Sequence, residues 1–221
     1  MKLKSLLALV PCFCLCACTT SAITGHVAGD SVHIEPPSEE DACFYDVGQT
    51  IEIKAIDKTD PGNSPLVSFT LDSCSVYSEN LPEGVDLSEI PDYEVFRNGV
   101  GKDGSLPDGL NFIRADITYE NKNDQDVSIG VNSIRLGFFG LDANATPPSY
   151  ELCWVDGIET ANAPKDAYMP TLPAHSTQSY SIGFMVSSDY VDNGNVRLLA
   201  QNEIRGLEQT NILGFNIPKE S

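Results

Sequence analysis

The feature that most constrains the fold of this chain is a strict alternation of apolar and polar residues in short runs. In the clearest run, residues 112–120, every second position is apolar: Ile113, Ala115, Ile117 and Tyr119. Charged or hydroxyl-bearing residues fill the positions between them. Because successive side chains of a β-strand point to opposite faces, this period of two predicts a strand with one buried and one solvated face.

Comparable alternation recurs along the rest of the chain. It occurs at residues 48–53, 67–76, 127–131, 134–138, 150–155, 180–186, 196–200 and 213–217. In the second of these runs the phase slips at residues 72–73, which predicts a β-bulge. Residues 192–195, Asp-Asn-Gly-Asn, predict a tight turn. No long run has the 3.6-residue period of a helix, so we predict an all-β domain of eight or nine short strands, a β-sandwich or a barrel, over residues 43–221.

The segment 79–110 interrupts this pattern. It is rich in Pro, Gly and Asp, and only residues 86–96 have the character of a short helix. A connection of this length with little regular structure is uncommon in a small domain and is often functional. We therefore take it as the candidate binding patch, and the alternative is a decorated surface loop. If the segment is the binding patch, deletion of residues 83–104 is expected to leave the domain folded but unable to bind.

The N-terminus has the pattern of an export signal. Lys2 and Lys4 precede an apolar stretch that ends at Ala17 and is too short to span a bilayer as a helix. The sequence Leu-Cys-Ala-Cys at residues 15–18 resembles a bacterial lipobox. The resemblance implies a signal peptide at 1–17, cleavage before Cys18 and a lipid on that cysteine. The alternative is an ordinary secretory signal that is cut near Ala17 or Ala22.

The residues that follow, 18–42, are polar and contain a Pro-Pro pair and an acidic cluster. We predict that they form a flexible tether between the lipidated Cys18 and the domain. The alternative is that residues 32–34 form a first strand. With the lipid in place, the expected location is the extracytoplasmic face of the cell membrane.

The charge of the chain excludes some partners. It has 32 acidic and 13 basic residues, a formal charge of −19. Loss of residues 1–17 removes two lysines and no acid, which leaves 11 basic and 32 acidic residues and a charge of −21. Nucleic-acid binding needs a basic face, so no nucleic-acid partner is expected. Anionic headgroups are repelled as well, so attachment to a membrane must be covalent or hydrophobic.

Three of the seven cysteines remain in the exported domain after cleavage and lipidation: Cys43, Cys74 and Cys153. Disulfides are permitted outside the cytoplasm. The odd number leaves two arrangements open, one disulfide with one free thiol, or three free thiols. The mature chain has no Cys-x-x-Cys and no His close to a Cys, so a zinc site is not expected.

Catalytic and metal-binding motifs are weak. Residues 99–105 are similar in composition to a phosphate-binding loop. However, their Lys is not followed directly by Ser or Thr, no predicted strand leads into them and no predicted helix follows. A turn is therefore predicted there. The pair Cys153 and His175 could serve nucleophilic catalysis only if the fold brings the two together. The oxygen-rich segments 120–126 and 189–195 do not match a calcium loop, and their Asn, Asp and Gly are expected to serve turn geometry. We expect no catalytic residue, metal or cofactor.

The position of the tryptophan indicates whether the sandwich is of the antibody type. Trp154 is the only tryptophan, and the alternation predicts that Leu152 shares its face, while Cys153 and Val155 take the opposite one. Immunoglobulin domains of the antibody type place a Trp between two cysteines. Here the Trp adjoins a Cys, so that signature is absent.

Two segments carry a family resemblance: residues 103–123, DGSLPDGLNFIRADITYENKN, and residues 172–176, LPAHS. Over residues 45–217 the layout resembles small lipoproteins of Gram-positive and actinobacterial cell envelopes, which have a lipobox, a polar tether and an immunoglobulin-like β-sandwich of unknown function. The resemblance implies an antiparallel sandwich of about eight strands and no catalytic residue.

The expected function follows from the anchor and this fold. It is that of a non-enzymatic, membrane-anchored binding module whose partner is an envelope protein or an envelope polymer. Two alternatives stay open. One is an inhibitor or accessory subunit of an envelope enzyme or transporter, and the other is an envelope hydrolase with an unrecognised site.

Overall fold

The computed structural model describes residues 42–55, 64–140, 152–156, 168–205 and 208–218. The predicted signal peptide, the lipidation site Cys18 and all but the last residue of the predicted tether lie outside these ranges, as does the suggested strand at 32–34. The first described strand begins at Ala42.

The described residues form eleven strands and two short α-helices. The strands are β1 (Ala42–Tyr45), β2 (Thr50–Lys54), β3 (Leu66–Tyr77), β4 (Leu110–Glu120), β5 (Val127–Ser128), β6 (Arg135–Phe138), β7 (Trp154–Val155), β8 (Thr171–Leu172), β9 (Thr177–Ser187), β10 (Val196–Arg205) and β11 (Glu208–Asn216). The helices are α1 (Asp92–Asn98) and α2 (Ser188–Asp192). Single 3₁₀ turns occupy Leu87–Glu89 and Val131–Ser133.

The long strands build two sheets. One has the order β2-β3-β4-β9-β7 and the other the order β1-β11-β10-β6, while β5 and β8 form a separate ribbon. All pairings are antiparallel except that of β1 with β11, which is parallel. In chain order, β3, β4, β9 and β7 occupy the A-B-E-D sheet of an immunoglobulin domain, and β6, β10 and β11 occupy the C-F-G sheet. The predicted all-β, immunoglobulin-like sandwich is therefore confirmed, with a parallel edge strand added.

The main core lies between the facing sheets. The apolar positions predicted for residues 113–119 all point into it and are almost completely buried. The ring of Phe69 on β3 lies 5.1 Å from that of Tyr119 and 5.6 Å from that of Phe215 on β11, so aromatic packing joins both sheets.

The predicted β-bulge is also present. The register of β3 against β4 shifts between Leu71 and Ser73, which leaves Asp72 as the extra residue. Residues before the bulge, such as Leu71, are buried in the core, and Cys74 and Val76 pack against the same core after it. Because of this one inserted residue, the core-facing positions change from odd to even residue numbers, and the apolar side chains stay on the core side of the strand.

The predicted turn at 192–195 is present: α2 ends at Asp192, and the N–H of Gly194 donates to the carbonyl of Val191 at 2.9 Å. The strands on either side of it, β9 and β10, belong to different sheets. Two local expectations were wrong. The run 127–131 keeps only the two strand residues of β5, because a 3₁₀ turn begins at Val131. Leu152 packs on the main core, whereas Trp154 lies in a different cluster. No helix in the described ranges is long and apolar enough to cross a membrane.

Candidate functional site

The outer face of the five-stranded sheet carries a second apolar cluster. Phe112 on β4, Met185 on β9 and Trp154 on β7 are almost fully buried, although they point away from the main core. The segment 79–110, called the excursion below, covers them. Its own contribution is a set of apolar side chains from the whole segment: Leu81, Val85, Leu87, Ile90, Val95, Val100, Leu106 and Leu110. The excursion is thus a packed layer on the sheet, which corrects the prediction of a decorated loop.

Local sequence explains the shape of the excursion. The Asp86 carboxylate caps the 3₁₀ turn by accepting hydrogen bonds from the backbone N–H and hydroxyl of Ser88, at 2.8 and 2.9 Å. Helix α1 follows Pro91 and ends at Gly99, whose φ of 70° is the left-handed conformation that favours glycine. The N–H of Val100 then donates to the carbonyl of Val95 at 3.1 Å, which turns the chain back toward the sheet.

Polar contacts fix the excursion to the sheet. Trp154 Nε1 donates a 2.7 Å hydrogen bond to Oε2 of Glu89. Arg114 Nη1 on β4 donates to the carbonyl of Glu83 at 3.2 Å, and its guanidinium lies 5.8 Å from the centre of the Trp154 ring. The excursion is closed at its base by the backbone hydrogen bond from Leu106 N to Glu79 O, at 2.8 Å. These contacts hold it in one place.

An open groove of about 590 Å³ lies in the surface of the excursion. Its apolar lining comes from Leu81, Val85 and Leu87, and its charged lining from Asp86, Asp103 and Lys102. The groove is therefore amphipathic and has two carboxylates for one ammonium. A volume of this size suits one side chain or a small molecule.

Both carboxylates of the groove are held in the ionised form. The backbone N–H and then the hydroxyl of Ser88 lower the pKa of Asp86. The hydroxyl of Ser105, 2.7 Å from Asp103 Oδ1, and then its backbone N–H lower the pKa of Asp103. In both residues only Oδ1 is used. Among the described residues, no hydrogen bond to either Oδ2 and no ion pair of Lys102 is formed.

Helix α1 exposes one large apolar side chain. Phe96 is 90 % exposed, whereas its neighbour Val95 packs into the excursion's cluster. The other large apolar side chains exposed in the described part of the chain, Leu66 at 49 % and Val47 at 39 %, are much better covered. Phe96 is therefore the most exposed large apolar side chain among the described residues and the candidate contact residue of the excursion.

A polar network lies beside the excursion on the same sheet face. Asp116 accepts hydrogen bonds from the hydroxyls of Ser181 and Ser73, at 2.5 and 2.6 Å, and forms an ion pair with Arg114 at 3.4 Å. Partial burial acts to raise the pKa of Asp116, but the two hydroxyls and the Arg114 charge outweigh it and the pKa is lowered. All its hydrogen-bond donors come from the strands of the sheet, so the network serves to join β3, β4 and β9.

The three cysteines of the domain are free thiols. Cys74 packs against the main core and Cys153 lies in the cluster on the other side of the same sheet, so these two face apart. Cys43 is exposed on the edge strand β1 of the second sheet. Burial raises the pKa of Cys74 to about 12 and also raises the pKa of Cys153, so both stay protonated.

The pair Cys153 and His175 is not formed. Cys153 Sγ lies 3.3 Å from the carbonyl of Gly183, whereas His175 is exposed and its Nε2 lies 3.0 Å from Oδ1 of Asp124. His175 is therefore not beside the thiol, and the hypothesis of a Cys153–His175 nucleophile loses its geometric basis.

Asparagine side chains of the oxygen-rich segments 120–126 and 189–195 form hydrogen bonds with the backbone, as expected for turn residues. Asn121 is fully buried and its amide donates to the carbonyls of Gln125, Leu172 and Pro173, at 2.9 to 3.1 Å. Asn193 donates to the carbonyl of Asp189 at 2.7 Å. In the described ranges, no three His, Cys, Asp or Glu side chains come together as a metal-binding group.

The turn predicted at residues 99–105 is confirmed. It folds back on itself through the hydrogen bond from Gly101 N to Ser105 O, at 2.8 Å, and it supplies Lys102 and Asp103 to the groove. Sequence reasoning placed the candidate patch in this segment but missed its packed interior. The signal for that interior was its run of widely spaced apolar residues together with Phe112 on the face predicted to be solvated.

The fold and this surface define a β-sandwich domain with a packed excursion on one face. No family model matches the chain, and no curated protein is similar to it. Among solved structures, the chain is similar to an uncharacterised β-sandwich protein from Clostridium difficile, with 13 % sequence identity and a TM-score of 0.40. The alignment covers 82 % of this chain and 99 % of that one.

Proposed function

We propose that this protein is a non-enzymatic lipoprotein, anchored through Cys18 on the extracytoplasmic face of the cell membrane, that binds another component of the envelope through the excursion. The anchor rests on the lipobox-like residues 15–18 and the basic start before them. The tether of polar residues that follows would let the domain reach a partner away from the lipid surface.

The observation that carries the binding role is the exposure of Phe96. Burial of a phenylalanine side chain contributes about 1.5–3 kcal/mol, and folding leaves that gain unused here. Val95, the residue before Phe96 on α1, packs against the cluster, so Phe96 projects from a helix that is attached to the domain. A partner that covers Phe96 would recover this free energy with little loss of conformational freedom.

A protein partner explains this surface better than a polymer. Carbohydrate polymers usually bind to flat aromatic surfaces that are flanked by hydrogen-bonding groups. A single projecting aromatic ring is better suited to insertion into a pocket of a protein. The role of an inhibitor or accessory subunit is the second candidate, and it is favoured by the same projecting side chain, which could enter the cleft of an enzyme.

The anchor and the binding role have separate tests. Intact mass of detergent-extracted protein should show a lipid-bearing chain that begins at Cys18, and Cys18→Ser should lack the lipid. Equal masses without lipid would contradict the anchor.

For the binding role, full-length protein is used as bait in solubilised envelopes, and Phe96→Ser is compared with Leu66→Ser, which also removes an exposed apolar side chain. A protein recovered with wild type and Leu66→Ser but lost with Phe96→Ser is expected. If that identified protein proves to be an enzyme or transporter component, its activity with and without the domain decides between the two candidates. Equal recovery by all three baits would contradict the binding role of the excursion.

A further inference from the structure

The excursion is strongly acidic, as the whole chain is. Residues 79–110 contain eight acidic and two basic residues. Such a surface attracts a positively charged partner and repels an acidic one. Phe96, which projects from the same segment, needs an apolar pocket in that partner.

The groove adds a more specific requirement. Leu81, Val85 and Leu87 supply an apolar lining that suits an aliphatic stem, and the two carboxylates supply acceptors for a cationic head. Asp86 and Asp103 each keep Oδ2 without a hydrogen bond in the described part of the chain, while Oδ1 is fixed by a serine. The acceptors are therefore held in position before any ligand arrives.

We infer that the groove formed by Leu81, Val85, Leu87, Asp86, Asp103 and Lys102 takes an arginine or lysine side chain of a protein partner. This inference rests on the proposed function and gives the chemistry of the partner surface, namely a basic residue beside an apolar pocket. Lys102 opposes it with a single positive charge, but two carboxylates outweigh one ammonium. An anionic ligand would be repelled by the two carboxylates and attracted only by the ammonium of Lys102.

The test uses a small probe and so does not depend on finding the partner. Full-length protein in a non-ionic detergent, with labelled Leu and Val methyl groups, is titrated with N-acetyl-arginine amide and, separately, with N-acetyl-citrulline amide, its uncharged analogue. The arginine probe should shift the methyl signals of Leu81, Val85 and Leu87 in a saturable way. The citrulline probe should bind about five- to tenfold more weakly, because the charge is lost.

Two variants test whether negative charge in the groove strengthens binding of the arginine probe. Asp86→Asn combined with Asp103→Asn should weaken arginine binding about two- to fivefold, as expected for exposed ion pairs. Lys102→Met should strengthen it, since a like charge is removed. Both variants lie on the surface, and an unchanged methyl spectrum without ligand shows that they are folded.

Four results would overturn the inference: equal binding of the two probes, shifts confined to other methyl groups, no saturable shift at all, or weaker arginine binding by Lys102→Met. These results are distinct from failure of the proposed function, which is read from partner recovery by Phe96→Ser. If the probe binds and recovery does not depend on Phe96, the groove chemistry stands while the binding role of α1 does not. If recovery depends on Phe96 and the probe does not bind, the excursion binds its partner by other means.

Discussion

The indole Nε1 of Trp154 donates a 2.7 Å hydrogen bond to Oε2 of Glu89, which joins the sandwich to the excursion. The indole ring is almost completely buried and belongs to the apolar cluster beneath the excursion. Trp154 is also the only tryptophan in the chain. Its fluorescence therefore reports whether the excursion is packed on the sheet.

The first prediction concerns this hydrogen bond. Glu89→Leu leaves the indole N–H without an acceptor in a nearly dry site, so the free energy of unfolding should fall by about 1–3 kcal/mol. The measurement is urea unfolding followed by the fluorescence of Trp154. Glu89→Gln is the control, because its amide oxygen can still accept the hydrogen bond, and it should lose clearly less. Equal losses for both variants would mean that the hydrogen bond does not hold the excursion.

The second prediction concerns the excursion as a whole. Replacement of residues 83–104 by a short Gly-Ser linker exposes Phe112, Met185 and Trp154, each of which gains about 1.5–3 kcal/mol from burial. The variant should be several kcal/mol less stable and should bind a hydrophobic dye. This outcome would count against the expectation, drawn from the sequence, that the deletion leaves the domain folded and removes only its binding. A variant as stable as wild type would restore that expectation.

The third prediction tests the packing under the excursion. A Cβ at Gly183 on β9 would lie 2.2 Å from Cζ of Phe112, so the ring and the added methyl group cannot both keep their places. Gly183→Ala should therefore reduce the free energy of unfolding by about 1–3 kcal/mol.

The matched control for Gly183→Ala is the same substitution in a Phe112→Leu background, where the smaller side chain leaves room. The loss caused by the alanine should be smaller there, and a double-mutant cycle measures the difference. An identical loss in both backgrounds would place the strain elsewhere than at the Phe112 ring.

The fourth prediction is a pH dependence at Asp116. The pKa of this carboxyl is lowered in the folded protein, so its contribution to stability is present above the unfolded pKa of about 3.9 and is lost as the pH falls through the folded pKa. Asp116→Asn should cost about 0.5–1 kcal/mol at neutral pH, a modest value because the side chain is 40 % exposed.

The difference between wild type and Asp116→Asn should then shrink as the pH falls below the unfolded pKa and through the lowered folded pKa, because the carboxyl becomes protonated. Ser181→Ala removes one of the hydrogen bonds that lower the pKa, so it should reduce the pH-dependent part of the difference. A difference that stays constant from neutral to acid pH would contradict the role of the ionised carboxylate.

The sequence predicted most of the sandwich because local alternation and burial coincide there. The inward positions of residues 113–119 and the bulge at 72–73 are both present, since one side of these strands faces the main core. The turn at 192–195 was also predicted, and the N–H of Gly194 donates to the carbonyl of Val191 there. Local turn chemistry does not reveal that the next strand, β10, pairs in the other sheet.

The candidate site was harder to predict. The length and composition of residues 79–110 indicated an unusual segment, but its apolar residues have no regular period, and their partners Met185 and Trp154 are distant in sequence. Cys153 and Trp154 are neighbours in sequence, and the predicted alternation placed their side chains on opposite faces. In the structure both side chains lie in the same cluster. The exposure of Phe96 follows from which side of α1 packs on the sheet, and that choice depends on the tertiary structure.

Photo-crosslinking at position 96 in intact cells tests the central claim most directly. A photoreactive phenylalanine analogue replaces Phe96 in the full-length lipoprotein, and the same analogue at Leu66, an exposed apolar position outside the excursion, serves as the control. The account predicts one recurrent crosslinked protein from position 96, with a basic surface around the crosslinked residue, and none of it from position 66. Crosslinks that are absent, or equal at the two positions, would contradict the claim that the excursion is the binding surface.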